Sequence, residues 1–210
     1  MPYTIETIAE RISARRVGDT PATIDWLLTD SRSLSFPEET LFFALTTKRN
    51  DGARYIPDLY SRGVRNFVVS KEAYKWVESG QLAMSNSDML AVNFLVVANP
   101  LKALQKLAEQ HREQFQIPVI GITGSNGKTI VKEWLHQLLS PERAIVRSPR
   151  SYNSQIGVPL SVWQMNGQSE LAIFEAGISE MGEMRALQNI IKPTIGMLTN
   201  IGGAHQETFF

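Results

Sequence analysis

Apolar positions in the second half of the chain follow two alternating rhythms, short unbroken runs and stripes spaced three or four residues apart. Runs at 117–120, 144–147, 170–175 and 194–199 have the length and β-branched content of buried strands. Between them, Ile130, Val131, Trp134, Leu135, Leu138 and Leu139 fall on one helical stripe. Residues 156–164 read as a second helix, with Pro159 in its first turn, and 182–191 as a third. The order β-α-β-α-β-α-β predicts a doubly wound, mostly parallel sheet. Leu101, Leu104, Ala108, His111 and Phe115 form a further stripe, a helix leading into this half behind Pro100.

The first half repeats the alternation in shorter pieces. Ile5, Ile8, Ala9 and Ile12 predict an amphipathic helix capped by Thr4. Apolar residues 26–28 run into a polar loop at 29–33, and a second polar loop at 46–52 follows a strand at 41–45. Strands are predicted at 66–69 and 93–98, and helices at 71–78 and at 55–62, the latter closed by Gly63. The fold class is therefore α/β: a small α/β domain over 1–98 and a doubly wound domain over 99–210, divided at Asn99-Pro100. The second sheet is expected to be incomplete at its C-terminal side, because the chain stops just after a loop. An edge exposed by such truncation invites self-association.

Composition narrows the function. The 210 residues are 43% hydrophobic and 20% charged, as in soluble globular proteins, and 21 Lys and Arg balance 21 Asp and Glu. With no basic excess, nucleic acid is not the expected partner, and any phosphate is held by local geometry. The absence of cysteine excludes disulfides, thiol nucleophiles and Cys-type zinc sites. Neither a signal peptide nor a membrane-spanning run is visible, so the expected location is the cytoplasm. The four tryptophans, lying in or beside apolar segments, are expected in the core.

One stretch carries specific chemistry: Gly121-Ile-Thr-Gly-Ser-Asn-Gly-Lys128-Thr129, set between a strand and a helix. Strand, glycine-rich turn, Lys-Thr and helix is the layout of a phosphate-binding loop. Gly124, Ser125, Asn126 and Gly127 would wrap phosphate with backbone amides, and the helix start adds its own N–H groups. Lys128 would reach the terminal phosphates and the Thr129 hydroxyl a magnesium ion. The usual spacing has a glycine where this chain has Ile122. Ligands of such sheets bind beyond the carboxyl ends of the strands, so 123–129, 148–155, 175–182 and 200–207 should converge. Glu175, ending an apolar run, is either a solvated or capping acid or a magnesium ligand, the latter favoured beside the phosphate loop. His205 is solvated or a ligand, and Asn153 either binds substrate or makes a turn. His111 and His136 lie in helical segments and read as structural.

Taken together, several segments resemble the Mur ligase family, the ATP-dependent amide ligases of peptidoglycan precursor synthesis. They are residues 121–129 and 153–159, Glu175-Ala-Gly177 with Gly182-Glu183, and Thr199-Asn-Ile-Gly-Gly-Ala-His205; Asp30-Ser-Arg32, 41–44 and Asp51-Gly52 look like the family's uridine-nucleotide domain. The motif wording is similar to the branch that adds D-alanyl-D-alanine to UDP-N-acetylmuramoyl-tripeptide, although sister ligases usually carry an acid where Ala204 stands. The resemblance implies ATP and Mg2+ as cofactors. Lys128 and the loop amides would hold phosphates, Thr129 and Glu175 one magnesium, and His205 a second. Asn153 would lie near the sugar-nucleotide, and Ser31, Arg32 and Lys48 would contact the uridine diphosphate. It also implies attack of a substrate carboxylate on the γ-phosphate, giving an acyl phosphate that the incoming amine displaces. A third family domain and a modified lysine fall outside residues 1–210, so turnover by this chain alone is not expected. The competing readings are a sister ligase adding another amino acid and a nucleotide-binding module without catalysis.

Overall fold

Two largely parallel sheets and one short ribbon organise the computed structural model, which describes residues 2–47, 51–81, 91–177 and 182–202. The chain divides into two units, Met1–Leu104 and Gln105–Phe210.

In the first unit, β1 (Tyr3–Thr4) pairs antiparallel with β3 (Thr23–Ile24), and between them run α1 (Ile5–Arg11) and β2 (Arg15–Val17). The Thr4 hydroxyl accepts from the Thr7 amide at 3.2 Å, as an N-cap should, and Ile5 and Ile8 are buried. The main sheet has the order β2-β7-β6-β5-β4, with β4 (Trp26–Leu28), β5 (Thr40–Phe43), β6 (Asn66–Ser70) and β7 (Asn93–Val97) parallel and β2 antiparallel to β7. Helices α2 (Ile56–Ser61) and α3 (Lys71–Glu78) connect the parallel strands.

Register builds the core. Phe42 lies opposite Phe67, and Phe67 opposite Phe94, so three rings meet across β5, β6 and β7, Phe42 edge-on to Phe67 at 6.3 Å between centroids and Phe67 stacked on Phe94 at 5.7 Å. Parallel strands explain the near-continuous apolar runs, because both faces are covered. Strand β2 was invisible in the pattern, since two arginines precede its single apolar residue. It is held instead by polar contacts: Arg16 donates to the Asn93 side chain at 2.9 and 3.1 Å, and Asn93 donates to Asn66 at 2.8 Å.

The second unit begins within α4 (Pro100–Arg112), after Leu104, the first turn of α4 grouping with the first unit. There follow β8 (Val119–Thr123), α5 (Lys128–Leu139), β9 (Ile145–Arg147), α6 (Gly157–Val162), β10 (Leu171–Glu175), α7 (Glu183–Ile191) and β11 (Ile195–Leu198). The four strands are all parallel, in the order β11-β8-β10-β9. Alternation along the strands splits the core in two. Ile120, Ile122, Leu171 and Ile173 face Val131, Leu135 and Leu139 of α5, while Val119, Ala172 and Phe174 face α6 and α7.

The expected burial of all four tryptophans is wrong for three of them. Trp163 is 8% exposed, but Trp26, Trp76 and Trp134 are 47%, 39% and 63% exposed. The apolar stripe of α5 is wider than the sheet beneath it, so Ile130, Trp134 and Leu138 stay exposed beside the residues that pack. Trp26 sits on an edge strand and stacks on Phe36 at 5.0 Å. Among the described residues, no helix is long and apolar enough to cross a membrane.

The ring ladder supports a stability prediction. Phe67 is fully buried between two other rings, so Phe67→Ala should destabilise the first unit by about 3–5 kcal/mol. Urea unfolding followed by far-UV circular dichroism measures this, and a loss below about 1 kcal/mol would contradict the packing.

Candidate phosphate-binding site

Strand β8 delivers the chain into the phosphate loop, and the loop's departure from the usual spacing has a local cause. Ile122, at the place of the usual glycine, is still inside β8 and fully buried against α5. The turn comes two residues later at Gly124, whose φ is +132° and where a Cβ would fall 2.2 Å from the Thr199 hydroxyl. Only glycine satisfies both conditions. Gly127 then caps α5 without a side-chain bond, so the first-turn amides of Lys128, Thr129 and Ile130 have no acceptor within the helix. Such a helix start favours anions. The Lys128 ammonium folds over the loop and donates to the Gly124 carbonyl at 2.5 Å.

The segment after β11 clasps this loop. The Ser125 amide donates to the Asn200 carbonyl at 3.0 Å, and the Asn126 amide to the Asn200 side chain at 2.8 Å. The Thr199 hydroxyl lies 2.5 Å from the Asn126 carbonyl and 3.2 Å from that of Thr123, and the Gly202 amide donates to Ser125 Oγ at 2.9 Å. Two amides assigned to phosphate by the motif are thus engaged by Asn200. Among the described residues, the first-turn amides of α5 are not drawn into this clasp, while the Lys128 ammonium rests on the loop's own Gly124 carbonyl.

Glu175 closes β10 and is fully buried. It is therefore not a solvated acid, and it does not cap α7, which begins at Glu183 behind Gly182. Its Oε2 accepts from the Thr129 hydroxyl at 3.0 Å, and its amide donates to Ser148 Oγ at 3.2 Å. Its Oε1 lies 2.9 Å from the Lys132 ammonium, itself fully buried. That contact is ionic without hydrogen-bond alignment, and Oε1 has no hydrogen bond. The lysine's protons go to the carbonyls of Ser148, at 2.8 Å, and Arg150. Glu133 lies 3.2 Å from the same ammonium and 3.0 Å from Arg147.

The donors fit a magnesium ion. A hydroxyl and a carboxylate oxygen stand 3.0 Å apart at the mouth of an anion-binding helix, and the second carboxylate oxygen lacks a hydrogen bond. No cluster of three or more His, Cys, Asp or Glu occurs among the described residues. A cation here would complete its shell with phosphate oxygens and water, as magnesium commonly does.

Asn153 lies against the same strand end. The Gly177 amide donates to its carbonyl at 2.8 Å, and a Cβ on Gly177 would meet the Asn153 side chain at 2.9 Å. Residues 124–129, Asn153 and Glu175 are thus brought together at one rim of the second sheet. Ser31 and Arg32 lie in the first unit, on a 3-10 turn capped by Asp30, whose Oδ1 accepts from the Arg32 amide at 3.0 Å. The exposed Arg32 fork grips that carboxylate at 2.9 and 2.6 Å, holding Asp30 below the usual carboxylate range. Arg62 donates to the Ser31 carbonyl at 2.8 Å. Lys48 and His205 lie outside the described residues. His111 is buried, with Nε2 2.9 Å from the Met165 carbonyl, in keeping with a structural role.

Lys132 escaped the sequence reading, whereas Ser148 and Asn200 open two of the segments expected to converge at this rim. The available signal for Lys132 was its position one helical turn beyond Lys128, beside the packed face of α5. The expectation of convergence did not specify which atoms meet: that Ser148 takes the Glu175 amide and Asn200 the Asn126 amide is seen only in the structure.

Comparison with known proteins identifies the family. The family model described as the Mur ligase middle domain matches residues 122–210. The UDP-N-acetylmuramoyl-tripeptide–D-alanyl-D-alanine ligase of Borreliella burgdorferi is 39% identical over 171 residues, which are 81% of this chain and 36% of that protein. A crystal structure of MurF from Acinetobacter baumannii superposes with a TM-score of 0.82 at 26% identity, over 100% of this chain and 43% of that one. MurF of Thermotoga maritima, solved in complex with ADP, gives 0.68 at 28% identity over 85% of this chain and 38% of that one. The chain thus spans about two-fifths of the length of the relatives it matches. Sequence and fold agree, and the chain belongs to the Mur ligase family.

Proposed function

We propose that this chain supplies the nucleotide- and substrate-binding parts of an ATP-dependent amide ligase of peptidoglycan precursor synthesis, which joins D-alanyl-D-alanine to UDP-N-acetylmuramoyl-tripeptide. The observation that carries the reading is the contact of Thr129 with the buried Glu175 at the start of α5, 3.0 Å long, beside Lys128. A bound magnesium ion would neutralise charge on the triphosphate there. The chain's own residues position and screen. Lys128 swings from the Gly124 carbonyl to the terminal phosphates, the first-turn amides take phosphate oxygens, and Thr129 and Glu175 supply hard oxygen ligands. Asn153 serves the sugar-nucleotide side of the pocket. His205 joins Lys128 and Glu175 in the catalytic set as a ligand of a second cation. Residues 1–98 form the substrate domain, with Ser31, Arg32 and Lys48 as contacts of the uridine diphosphate, and 99–210 the ATP domain. ATP is spent to convert the tripeptide's terminal carboxylate into an acyl phosphate, which the amine of D-alanyl-D-alanine attacks with release of phosphate. Positioning and charge stabilisation dominate such chemistry.

Isothermal titration of the 210-residue chain with Mg-ADP and with UDP-N-acetylmuramoyl-tripeptide tests the reading. Binding of both supports a ligase, binding of nucleotide alone favours a generic phosphate-loop module, and binding of neither removes the assignment. Lys128→Ala should weaken Mg-ADP binding by about a hundredfold, the scale of one lost electrostatic donor in such a site. Affinity within about threefold of wild type would contradict its role. Arg32→Ala should weaken the uridine-diphosphate substrate by about tenfold, the scale of a charge-assisted hydrogen bond, and leave Mg-ADP unchanged. Equal losses for the two ligands would contradict the separate roles of the two units.

A further inference from the structure

A fully buried lysine that touches no solvent and no described cofactor ligand except one carboxylate requires an explanation. Lys132 sits one turn after Lys128 on α5, with its side chain fully buried. Its ammonium reaches four groups from three elements. These are Glu175 Oε1 at 2.9 Å at the end of β10, the Ser148 carbonyl at 2.8 Å, the Arg150 carbonyl, and Glu133 of its own helix at 3.2 Å. Arg150 has φ +50°, a left-handed conformation uncommon outside glycine, so its carbonyl is turned by a backbone that needs an external hold. Three residues later the same loop lays Asn153 against Gly177. Ser148 closes the circuit, receiving the Glu175 amide on its hydroxyl while its carbonyl takes the lysine.

Burying an ion pair is a poor way to gain stability, since isosteric apolar residues often do as well or better. Burial here instead fixes direction. With two of its three protons given to carbonyls and none aligned on Oε1, the ammonium holds that oxygen by charge and leaves Oε2 turned to Thr129. We infer that Lys132 is a positioning residue of the phosphate site: it fixes the Glu175 carboxylate toward Thr129 and, through Ser148 and Arg150, the loop that carries Asn153. The inference rests on the reading of Thr129 and Glu175 as magnesium ligands, and it concerns what holds them rather than what they bind.

The test is the magnesium dependence of nucleotide binding by the 210-residue chain, the ratio of ADP affinities in excess Mg2+ and in EDTA. In K132M that ratio should fall by about tenfold or more, while ADP affinity in EDTA stays within about threefold. E175Q should reduce the ratio similarly, and K132M/E175Q should lower it no further, because the lysine acts through the carboxylate. A lysine that only stabilises the fold would lower Tm and leave the ratio unchanged, which would overturn the inference. So would a rise in the ratio, which would make Lys132 a competitor of the cation rather than its organiser. Loss of one buried partner can prevent folding. If K132M does not fold, K132R, which keeps the charge, decides: a ratio within about threefold supports the inference and a tenfold loss overturns it. Wild-type chain whose ADP binding ignores Mg2+ would instead defeat the magnesium reading of Thr129 and Glu175, and this inference with it.

Discussion

A carboxylate cannot be taken out of water without a partner, and the second unit is arranged around satisfying one. Glu175 ends the second strand from one edge of the β11-β8-β10-β9 sheet, fully buried, between the start of α5 and the loop after β9. Its carboxylate meets the Thr129 hydroxyl and the Lys132 ammonium, both from α5, while its backbone amide donates to the Ser148 hydroxyl of the loop after β9. An unpaired charge at that depth costs several kcal/mol, so the segments that supply the contacts are constrained wherever the carboxylate is. The helix carrying Lys128 is thereby locked in register with the strand carrying Glu175.

Parallel topology explains why these constraints build one site rather than several. All four strands of the second sheet point the same way, so each ends at the same rim. Neighbours in the sheet then have neighbouring loops. β8 lies beside β11, and the phosphate loop is clasped by Thr199, Asn200 and Gly202. β9 lies beside β10, and the 148–153 loop is bonded to Glu175 and Gly177. Helix α5 joins the two pairs through Thr129 and Lys132, which lie on the side of the helix facing β10 and β9. Bracing comes from side chains and carbonyls, leaving the amides of the helix start for an anion.

The elements of this unit were legible because a buried parallel sheet writes its strands as unbroken apolar runs and its helices as stripes. That the glycine turn, Thr129 and Glu175 would meet was legible because the strands of a parallel sheet deliver their following loops to one rim. What could not be read were contacts made across the sheet. Asn200 meets Asn126 only because β11 pairs with β8, and nothing in a chain of short parallel strands states that order in advance. Lys132 looked like an ordinary helix lysine, since exposure depends on how far the loop after β9 folds over α5. The error over the tryptophans has the same origin: a stripe shows which residues are apolar, not how much of the stripe a neighbour covers.

Charge balance across the chain makes this local construction necessary. With equal numbers of acidic and basic residues there is no long-range field to gather a phosphate group, so attraction must be generated within a few ångströms. On the proposed reading the helix start, the Lys128 ammonium and the buried Glu175 carboxylate supply it, and they divide the labour. Lys128 reaches only loop carbonyls and can change partners, whereas Lys132 is enclosed and cannot. Two lysines one turn apart on the same helix therefore differ in setting, and the roles proposed for them, meeting an anion and holding the opposing acid, follow that difference. Burial, rather than residue type or spacing, separates them.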